Sequence, residues 1–526
     1  MKLRTIVKIT ITSSVVLLCA GFALYSFFRL SAAEGKKEFN LYELVPPAAS
    51  AVFVTDDVQG FMAEVDDLTC SKNEQYFHTS KLFSCLRQYL TALVEDTPHG
   101  ISREMNRMMI SFHAPDNAYN QVLYCRLAEE DKSLIDRFAN KYISSLYPPK
   151  TFRYKGEEIT IYPMADGDFL SCYLTPDYMV LSYQKKLVEE VIDARKSGKS
   201  LARDAAFARM AAPQKSASAA TLYTHLGGMA GWMEFDMKLK DDYIYFSGIC
   251  HDADTCATFM DVLRGQESVK GFPGASLPSS AFYFAKLGVT DWTSLLSYNG
   301  MRQSAALPRA ADNVTDRNRE LSYYLMENGG HDVVACLFQR EDTLQSAAAV
   351  LSLAVADVPE AERRLRSLVK AVPAEVRGNR ASVTFCYTGG HKAYPVYWLP
   401  DTTLFAQLTH FADSAQEVYA VFYDGRLLLA PDEDSLSYYI RQLEQGKVLT
   451  GAVAYQAGMD TLSDSYHFML MADLDHVFRH PEKRLRFMPD FVQGNTDFFR
   501  NFILFVQLTC TDGTVYPNLV LKYKNE

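Results

Sequence analysis

The cysteines of this sequence lack the spacing that binds zinc or carries redox chemistry. The chain has ten of them but no Cys-x-x-Cys pair, so neither a zinc ribbon nor a thioredoxin-type site is indicated. A Gly-x-Ser-x-Gly nucleophile elbow is also absent. The net charge of −10 differs from the basic balance of a general nucleic-acid-binding protein, so we expect no nucleic-acid partner.

Disulfide pairing is weakly indicated. Cys19 lies in an apolar N-terminal run, which leaves nine cysteines, and an odd number in an oxidising compartment requires at least one unpaired thiol. Two near pairs, Cys70 with Cys85 and Cys250 with Cys256, are the candidates for bridges.

Tryptophan is scarce, with 3 residues, whereas the chain has 32 Phe and 31 Tyr. Phe and Tyr bury large areas and favour strands, so the composition predicts sheet-rich domains. A chain of 526 residues with 48% hydrophobic content is long enough for about two to four domains.

The N-terminus contains one long apolar run. Residues 9–28 would span about 30 Å as a helix, which matches the hydrocarbon thickness of a bilayer. Basic residues precede the run, so we predict a cytoplasmic tail at 1–8, a transmembrane anchor at 9–28 and a tether at 29–44, with the rest of the chain outside the cytoplasm. Ser31-Ala32-Ala33 leaves cleavage as a signal peptide open.

One stretch of the chain resembles a later one. Leu174–Gly227 aligns without a gap on Phe422–Asp475 at a shift of 248, with eight identities that include Gly198-Lys199 on Gly446-Lys447. Both copies read as a short apolar strand, an amphipathic helix that ends at Gly, a small helix and an apolar strand. The similarity predicts an internal repeat.

Other landmarks recur in the same order. The strand after Val45-Pro46 resembles the one after Leu277-Pro278, Cys125 lies on an apolar strand like that of Cys336, and Phe152-x-Tyr154 resembles Phe385-x-Tyr387. Asp241-Asp242 and Asp512-Gly513 predict the turns of a closing hairpin in each half. We therefore predict repeat domains at 45–265 and 277–526, separated by a Gly-rich linker at 266–276.

Runs of adjacent strands with few helices between them predict the fold class. They indicate an α+β fold of two related tandem domains with mainly antiparallel sheets, in addition to the N-terminal transmembrane helix. On the anchor, the opening Val45-Pro46-x-x-Ala49-Ser50-Ala51-Val52-Phe53-Val54 and the repeated α+β portion, the chain resembles an uncharacterised family of N-terminally membrane-anchored envelope proteins of Bacteroidota. The resemblance implies an inner-membrane anchor and a periplasmic body, and it carries over no catalytic residue.

Two short motifs have alternative readings. Gly198-Lys199-Ser200 resembles the end of a phosphate-binding loop, but Asp193 stands where that loop needs a Gly. We therefore interpret Gly198 and Gly446 as helix C-caps. Ser182-x-x-Lys185 matches a short serine-hydrolase signature, but its companion motifs are missing.

Two clusters contain residue types that bind metals. His251, Asp252, Asp254 and Cys256 lie within six residues after a predicted strand, and Asp473-x-Asp475-His476 is the second cluster. Asp is also common in solvated loops and helix caps, so we expect no bound metal or other cofactor from these patterns.

The second half has extra residues before its closing hairpin, at about 476–502. This insertion combines aromatic residues such as Phe498 and Phe499 with four basic residues: Arg479, Lys483, Arg484 and Arg486. The mixture predicts contact with an acidic protein partner or anionic lipid, and the alternative is an extra helix that covers its own domain.

The sequence favours a non-enzymatic scaffold or binding protein of the cell envelope. Two alternatives stay open: an envelope hydrolase whose site forms only in three dimensions, and a substrate-binding subunit of a transport or assembly complex.

Overall fold

A computed structural model describes residues 39–72, 80–95, 101–128, 131–139, 141, 147–164, 166–211, 218–225, 231–251, 258–298, 312–341, 343–388, 392–400, 405, 408, 417–480 and 490–524. The contacts divide the chain into Met1–Tyr42, described from residue 39 onward, and one compact unit, Glu43–Glu526. The fold is α+β, as the sequence predicted, and it contains a 20-stranded, mainly antiparallel sheet.

Ten strands of the large sheet come from the first half of the chain. They are β1 Ala49–Thr55, β2 Met108–His113, β3 Gln121–Arg126, β4 Lys150–Tyr154, β5 Glu157–Pro163, β6 Phe169–Leu174, β7 Tyr178–Ser182, β8 Ala220–His225, β9 Trp232–Lys240 and β10 Tyr243–Cys250. A two-residue strand, β11 Val269–Lys270, follows.

The second half supplies the other ten strands and the partner of β11. They are β12 Ala281–Gly288, β13 Gly329–Arg340, β14 Thr343–Val355, β15 Val383–Tyr387, β16 Ala393–Pro400, β17 Glu417–Tyr423, β18 Arg426–Ala430, β19 Ser465–Tyr466, β20 Phe468–Asp473, β21 Phe502–Thr511 and β22 Thr514–Tyr523. Strand β19 pairs with β11 in a separate small sheet.

Helices pack on both faces of the large sheet. They are α1 Val58–Asp67, α2 Lys81–Glu95, α3 Asp131–Phe138, α4 Lys185–Ser197, α5 Ala205–Met210, α6 Phe259–Arg264, α7 at 292–298, α8 Asp312–Asn328, α9 Val358–Ala371, α10 Ala374–Arg377, α11 Glu433–Glu444, α12 Val453–Met459, α13 Leu474–Arg479, α14 Asp490–Gly494 and α15 Thr496–Phe499.

Strand pairing follows the same order in both halves. In the first half the order is β4-β5-β6-β7-β3-β2-β1-β8-β9-β10. In the second half it is β15-β16-β17-β18-β14-β13-β12-β20-β21-β22. Strands β10 and β22 pair antiparallel, from Tyr243 opposite Lys522 to Cys250 opposite Val515, so the two halves share one continuous sheet.

Local sequence explains where several elements begin and end. Helix α4 ends at Gly198 with φ +66°, and Gly446 follows α11 with φ +68°, so the predicted helix ends at these glycines are confirmed. Asp432 caps α11 by accepting a hydrogen bond from the Ser435 amide. The predicted hairpin turns are confirmed too, since Asp241 and Asp512 adopt φ +48° and +50° between paired strands.

The alignment at shift 248 matches these elements closely. Strands β7 and β18, Tyr178–Ser182 and Arg426–Ala430, have the same length, and helices α4 and α11 begin at Lys185 and Glu433. For a residue of the first half, the alignment therefore identifies the residue at the same position in the second half.

Two landmark matches from the sequence are wrong, one in the strand and the other in the register. Cys125 lies on β3, which pairs with β2 and β7. Cys336 lies on β13, which pairs with β12 and β14 and takes the place of β2 in the pairing order. Both thiols are buried, but they occupy different positions in the pairing order.

The match of Phe152 with Phe385 is displaced by one residue. Phe152 lies on the face covered by α4, and on β15 the corresponding face carries Thr384, whose hydroxyl donates to Glu433 at the start of α11. Because side chains alternate along a strand, Phe385 points to the opposite face.

The segment predicted as a linker, 266–276, contains regular structure. It includes β11 and the 3-10 helix Pro273–Ser276, and the Gln266 side chain accepts hydrogen bonds from the Thr290 and Asp291 amides. Among the described residues, Cys70 and Cys85 are free thiols, so the predicted Cys70–Cys85 bridge is wrong. Cys256 lies outside the described residues.

No helix in the described part of the chain is long and apolar enough to cross a membrane. The tail and anchor predicted at 1–28 lie outside the described residues.

Candidate functional site

An apolar groove lies on the strands β4, β5 and β6. Phe152 pairs with Ile159, and Ile161 pairs with Ser171, so these side chains share one face of the sheet. Helix α4 covers part of that face: Tyr154 donates a hydrogen bond to Asp193 at 3.0 Å, and Arg195 donates to the Tyr173 hydroxyl at 2.6 Å. These contacts are made by the C-terminal part of α4.

The groove forms because helix α4 covers only part of this sheet face. The helix begins at Lys185, and the face continues beyond it toward Pro163 and Phe169, which pair at the ends of β5 and β6. Ile159 under the helix is fully buried, whereas Phe152 is 45% exposed and Phe169 60% exposed. Large aromatic side chains are thus left open to solvent on a concave surface.

The cavity has a volume of about 650 Å³, which lies in the range of small-molecule sites, about 300–1,000 Å³. Its lining is mostly apolar, with few polar groups. The lining residues are Tyr147, Pro148, Lys150, Phe152, Ile161, Pro163, Met164, Gly167, Asp168, Phe169, Ser171, Tyr183 and Lys185.

Ionic groups lie around the groove. Lys81 places its Nζ 2.9 Å from Asp168 and 3.2 Å from Asp166, and the hydrogen bond to Asp168 raises the pKa of Lys81. Lys185 lies 2.8 Å from Glu189 and over the Phe152 ring, at 5.5 Å from its centroid. The Lys81 ammonium group is therefore shared by the carboxylates of Asp166 and Asp168.

Behind the groove, Tyr183 is held in place by its neighbours. Its ring packs edge-on against Tyr119, with centroids 6.3 Å apart, and burial raises the pKa of the Tyr183 hydroxyl. Burial also raises the pKa of the Cys85 thiol, to about 11, although a hydrogen bond from Tyr183 opposes the shift. A thiol with a raised pKa is a poor nucleophile, so Cys85 is a packing residue.

The same place in the second half is filled. Trp398 pairs with Tyr419 where the first half has Ile161 and Ser171. Trp398 is only 4% exposed, and Arg380 lies over its ring at 5.6 Å. Ile161 and Ser171 thus correspond to the larger Trp398 and Tyr419, and among the described residues the groove lies in the first half.

The His251 cluster is only partly described. His251 places Nε2 3.8 Å from Oε2 of Glu234, and neither atom has a hydrogen-bond partner among the described residues. Asp252, Asp254 and Cys256 lie outside them. The described part of the chain contains no group of three or more His, Cys, Asp or Glu side chains that could hold a metal ion.

The acidic residues near His476 are engaged by cations. Asp473 lies 2.8 Å from Lys524 and 3.1 Å from His476, and it caps α13 by accepting from the Asp475 amide. Burial opposes ionisation of Asp473, but the adjacent His476 and Lys524 side chains outweigh it and lower its pKa to about 2. Both oxygens of this carboxylate therefore have protein partners.

The insertion after β20 contributes to the core. Helices α13, α14 and α15 lie between β20 and β21, whereas β8 and β9 are joined by a short connection. Phe499 is 7% exposed, and Phe498 packs against the same core, so these two aromatic side chains are packing residues. Their burial supports the alternative interpretation of this part of the insertion, in which it forms a helix that covers its own domain.

Among the four basic residues predicted there as a contact, only Arg479 is described. Its side chain is 59% exposed, and its guanidinium pairs with Asp475 one helical turn earlier. Lys483, Arg484 and Arg486 lie outside the described residues.

Ser182 has a structural role. Its hydroxyl is fully buried, donates to the Gln121 carbonyl at 2.7 Å and accepts from the Gln184 amide at 3.0 Å. Lys185 pairs with Glu189 instead of Ser182. The Ser-x-x-Lys spacing therefore places no base beside the hydroxyl in the described geometry.

Sequence reasoning missed the groove because its residues come from separate strands and a helix start. One signal was available: Phe152 and Phe169 interrupt polar stretches at strand positions. Strand register was needed to put them beside Ile161 on one face.

Fold and groove together define an antiparallel α+β protein with an apolar surface site. Residues 106–242, which include the groove strands, match a family model described as "Protein of unknown function (DUF3352)". The chain thus contains a domain of an uncharacterised family. No curated protein matches the chain.

Two solved structures are similar to part of the chain. Crystal form III of TP0453 has 10% identity and a TM-score of 0.24, over 45% of this chain and 90% of that chain. Crystal form I of TP0453 has 12% identity and a TM-score of 0.25, over 43% of this chain and 83% of that chain.

Proposed function

We propose that this protein is a non-catalytic binding protein of a bacterial cell envelope, whose ligand occupies the groove on β4–β6. The observation that carries the proposal is the open apolar face at Phe152 and Phe169 beside the start of α4. A concave apolar site with few polar groups is the usual form of a small-molecule site. The groove favours a ligand-binding protein over a scaffold without a ligand.

The proposed location is the inner membrane, with residues 9–28 as an uncleaved anchor and the body in the periplasm. It is supported by the length of the apolar run and the basic residues before it. The resemblance to anchored envelope proteins of Bacteroidota agrees with this location.

The two halves are proposed to be related tandem α+β domains that arose by duplication. The identical pairing order of β1–β10 and β12–β22 supports this origin, as does the antiparallel pairing of the equivalent strands β10 and β22. Ligand binding is then specific to the first domain, since the second has the larger Trp398 and Tyr419 at the groove positions.

A partner is proposed for the basic part of the insertion, formed by Arg479, Lys483, Arg484 and Arg486. An acidic envelope protein or anionic lipid fits its charge. The exposed Arg479 side chain supports this contact.

Ligand capture tests the proposed function. Full-length protein is purified from bacterial membranes in a mild detergent, and co-purifying small molecules are extracted and identified by mass spectrometry. A double variant, Ile161→Trp with Ser171→Tyr, copies the residues of the second half and fills the groove. A compound enriched in the native protein and lost from this variant supports the proposal, whereas identical extracts from both proteins contradict it.

Location is tested on the same protein. Protease added to spheroplasts should digest the body without lysis of the inner membrane, and intact-mass measurement should show an uncleaved N-terminus. Protection of the body until lysis would place it in the cytoplasm, and a mature N-terminus near Glu34 would make the anchor a signal peptide.

A further inference from the structure

We infer that the groove binds a single-chain amphiphile with an anionic head, of the fatty-acid class. This inference rests on the proposed function and specifies its ligand. The apolar wall formed by Ile161, Met164 and Phe169 suits a hydrocarbon chain, because removing methylene groups from water is favourable. A purely polar ligand would leave these side chains in water.

The charges at the groove favour an anionic head. Lys150 and Lys185 both line it, and its one lining carboxylate, Asp168, is paired with Lys81 at 2.9 Å. Lys185 is also paired with Glu189 at 2.8 Å, so Lys150 is the lining cation that makes no ion pair within the described part of the chain. A carboxylate head beside the Lys150 ammonium gains a charge-assisted hydrogen bond.

The start of α4 adds to this preference. The helix has no acidic residue in its first turn, and Gln184 provides no side-chain cap. Its amide groups carry partial positive charge at the end that faces Lys185 and the groove. This partial charge adds to the attraction of the lysines for an anionic head, but its contribution is small by itself.

The second half differs in the charge of its helix start and in the size of the side chains at the groove positions. At the positions of Gln184, Lys185 and Lys186 it has Asp432, Glu433 and Asp434, and Asp432 caps the helix with its own side chain. Large side chains fill the space where the groove would be. Room for an apolar chain therefore lies beside a basic helix start in the first half, whereas the corresponding helix start in the second half is acidic.

The test uses the full-length protein in lipid nanodiscs and measures binding of radiolabelled laurate by equilibrium dialysis, with empty nanodiscs subtracted. The groove-filling double variant should lose specific laurate binding. Lys150→Glu with Lys185→Glu should weaken laurate at least about tenfold and leave dodecanol binding within about twofold, because dodecanol has no charge. Glu433→Lys in the second half is the matched control and should change neither ligand.

Thermal unfolding of each variant separates a local effect from misfolding. A variant whose melting temperature matches the native protein but which loses laurate supports the inference. Laurate binding that persists in the groove-filled protein overturns it, and so does a charge reversal that weakens laurate and dodecanol equally.

Two further outcomes distinguish this inference from the proposed function. If a different compound is captured in a groove-dependent manner while laurate fails to bind, the ligand class is wrong and the binding function stands. If anionic phospholipid vesicles bind through Lys150 and Lys185 while monomeric laurate does not, the surface contacts a membrane, and the inference is wrong.

Discussion

Ser171 and Tyr419 occupy the same position in the strand pairing of the two halves, next to Ile161 and Trp398 respectively. In the first half Ser171 lines the groove, and in the second Tyr419 lies beside the buried Trp398. One pairing pattern therefore carries two surfaces, because strand pairing uses the backbone and leaves side-chain size free.

Replacement of the filling residue should be costly, whereas filling of the groove should not. Trp398→Ala should lower the free energy of unfolding by about 3–5 kcal/mol, because Trp398 is buried. Ile161→Trp should change it by less than about 1 kcal/mol, because the new ring enters existing space. Urea unfolding at neutral pH measures both, and equal losses would show that the groove is not available space.

The two helix-ending glycines should respond alike to substitution. Gly198→Ala and Gly446→Ala should each destabilise the protein by about 1 kcal/mol, because φ is +66° and +68° and an added Cβ meets no neighbouring atom. The cost then comes from the backbone alone. Gly451→Ala, with open space and no positive φ, is the control and should have little effect. A large effect at only one of the two glycines would contradict this account.

Acid should destabilise the protein through His113. Burial lowers the pKa of His113 to about 4, and Ser111 contacts its Nε2 at 2.8 Å. The unfolded chain binds a proton near pH 6.5 and the folded chain does not. Stability from this group is therefore complete above about pH 6.5 and falls by about 3 kcal/mol as pH approaches 4.

Unfolding free energies of native protein and His113→Gln, measured from pH 7.5 to 4.5, check this prediction. The variant should show a flatter pH dependence, even if it is less stable at pH 7. Exposed His331→Gln serves as the control and should keep the native slope. A native slope in the His113 variant would assign the acid sensitivity to other groups.

The basic segment should act in binding and contribute little to folding. Changing Arg479, Lys483, Arg484 and Arg486 together to Ser should reduce recovery of a partner from solubilised membranes, most clearly at low salt where screening is least. Stability should fall by no more than about 0.5 kcal/mol per residue. Part of that loss is expected from the Arg479–Asp475 pair.

A matched variant controls for net charge. Four exposed lysines elsewhere, Lys132, Lys199, Lys240 and Lys370, are changed to Ser in a second protein. Equal loss of the partner from both variants would show a general charge effect. An unchanged pull-down from the first variant would remove the segment as the contact.

Sequence alone predicted the features that depend on local chemistry. Gly198 and Gly446 end helices because a left-handed backbone favours Gly, and Asp241 and Asp512 form hairpin turns for a related reason. The α+β class followed from strands that lie close together along the chain. These signals act within a few residues and need no tertiary information.

Only the tertiary structure decided which face each side chain occupies. A displacement of one residue separates Phe152 from Phe385, because strand side chains alternate, and similar letters in the sequence do not define register. Phe498 and Phe499 looked like surface residues beside basic neighbours, but they pack into the core. The groove itself depends on where α4 begins over a sheet face assembled from three strands. The position of the helix on that face is set by packing.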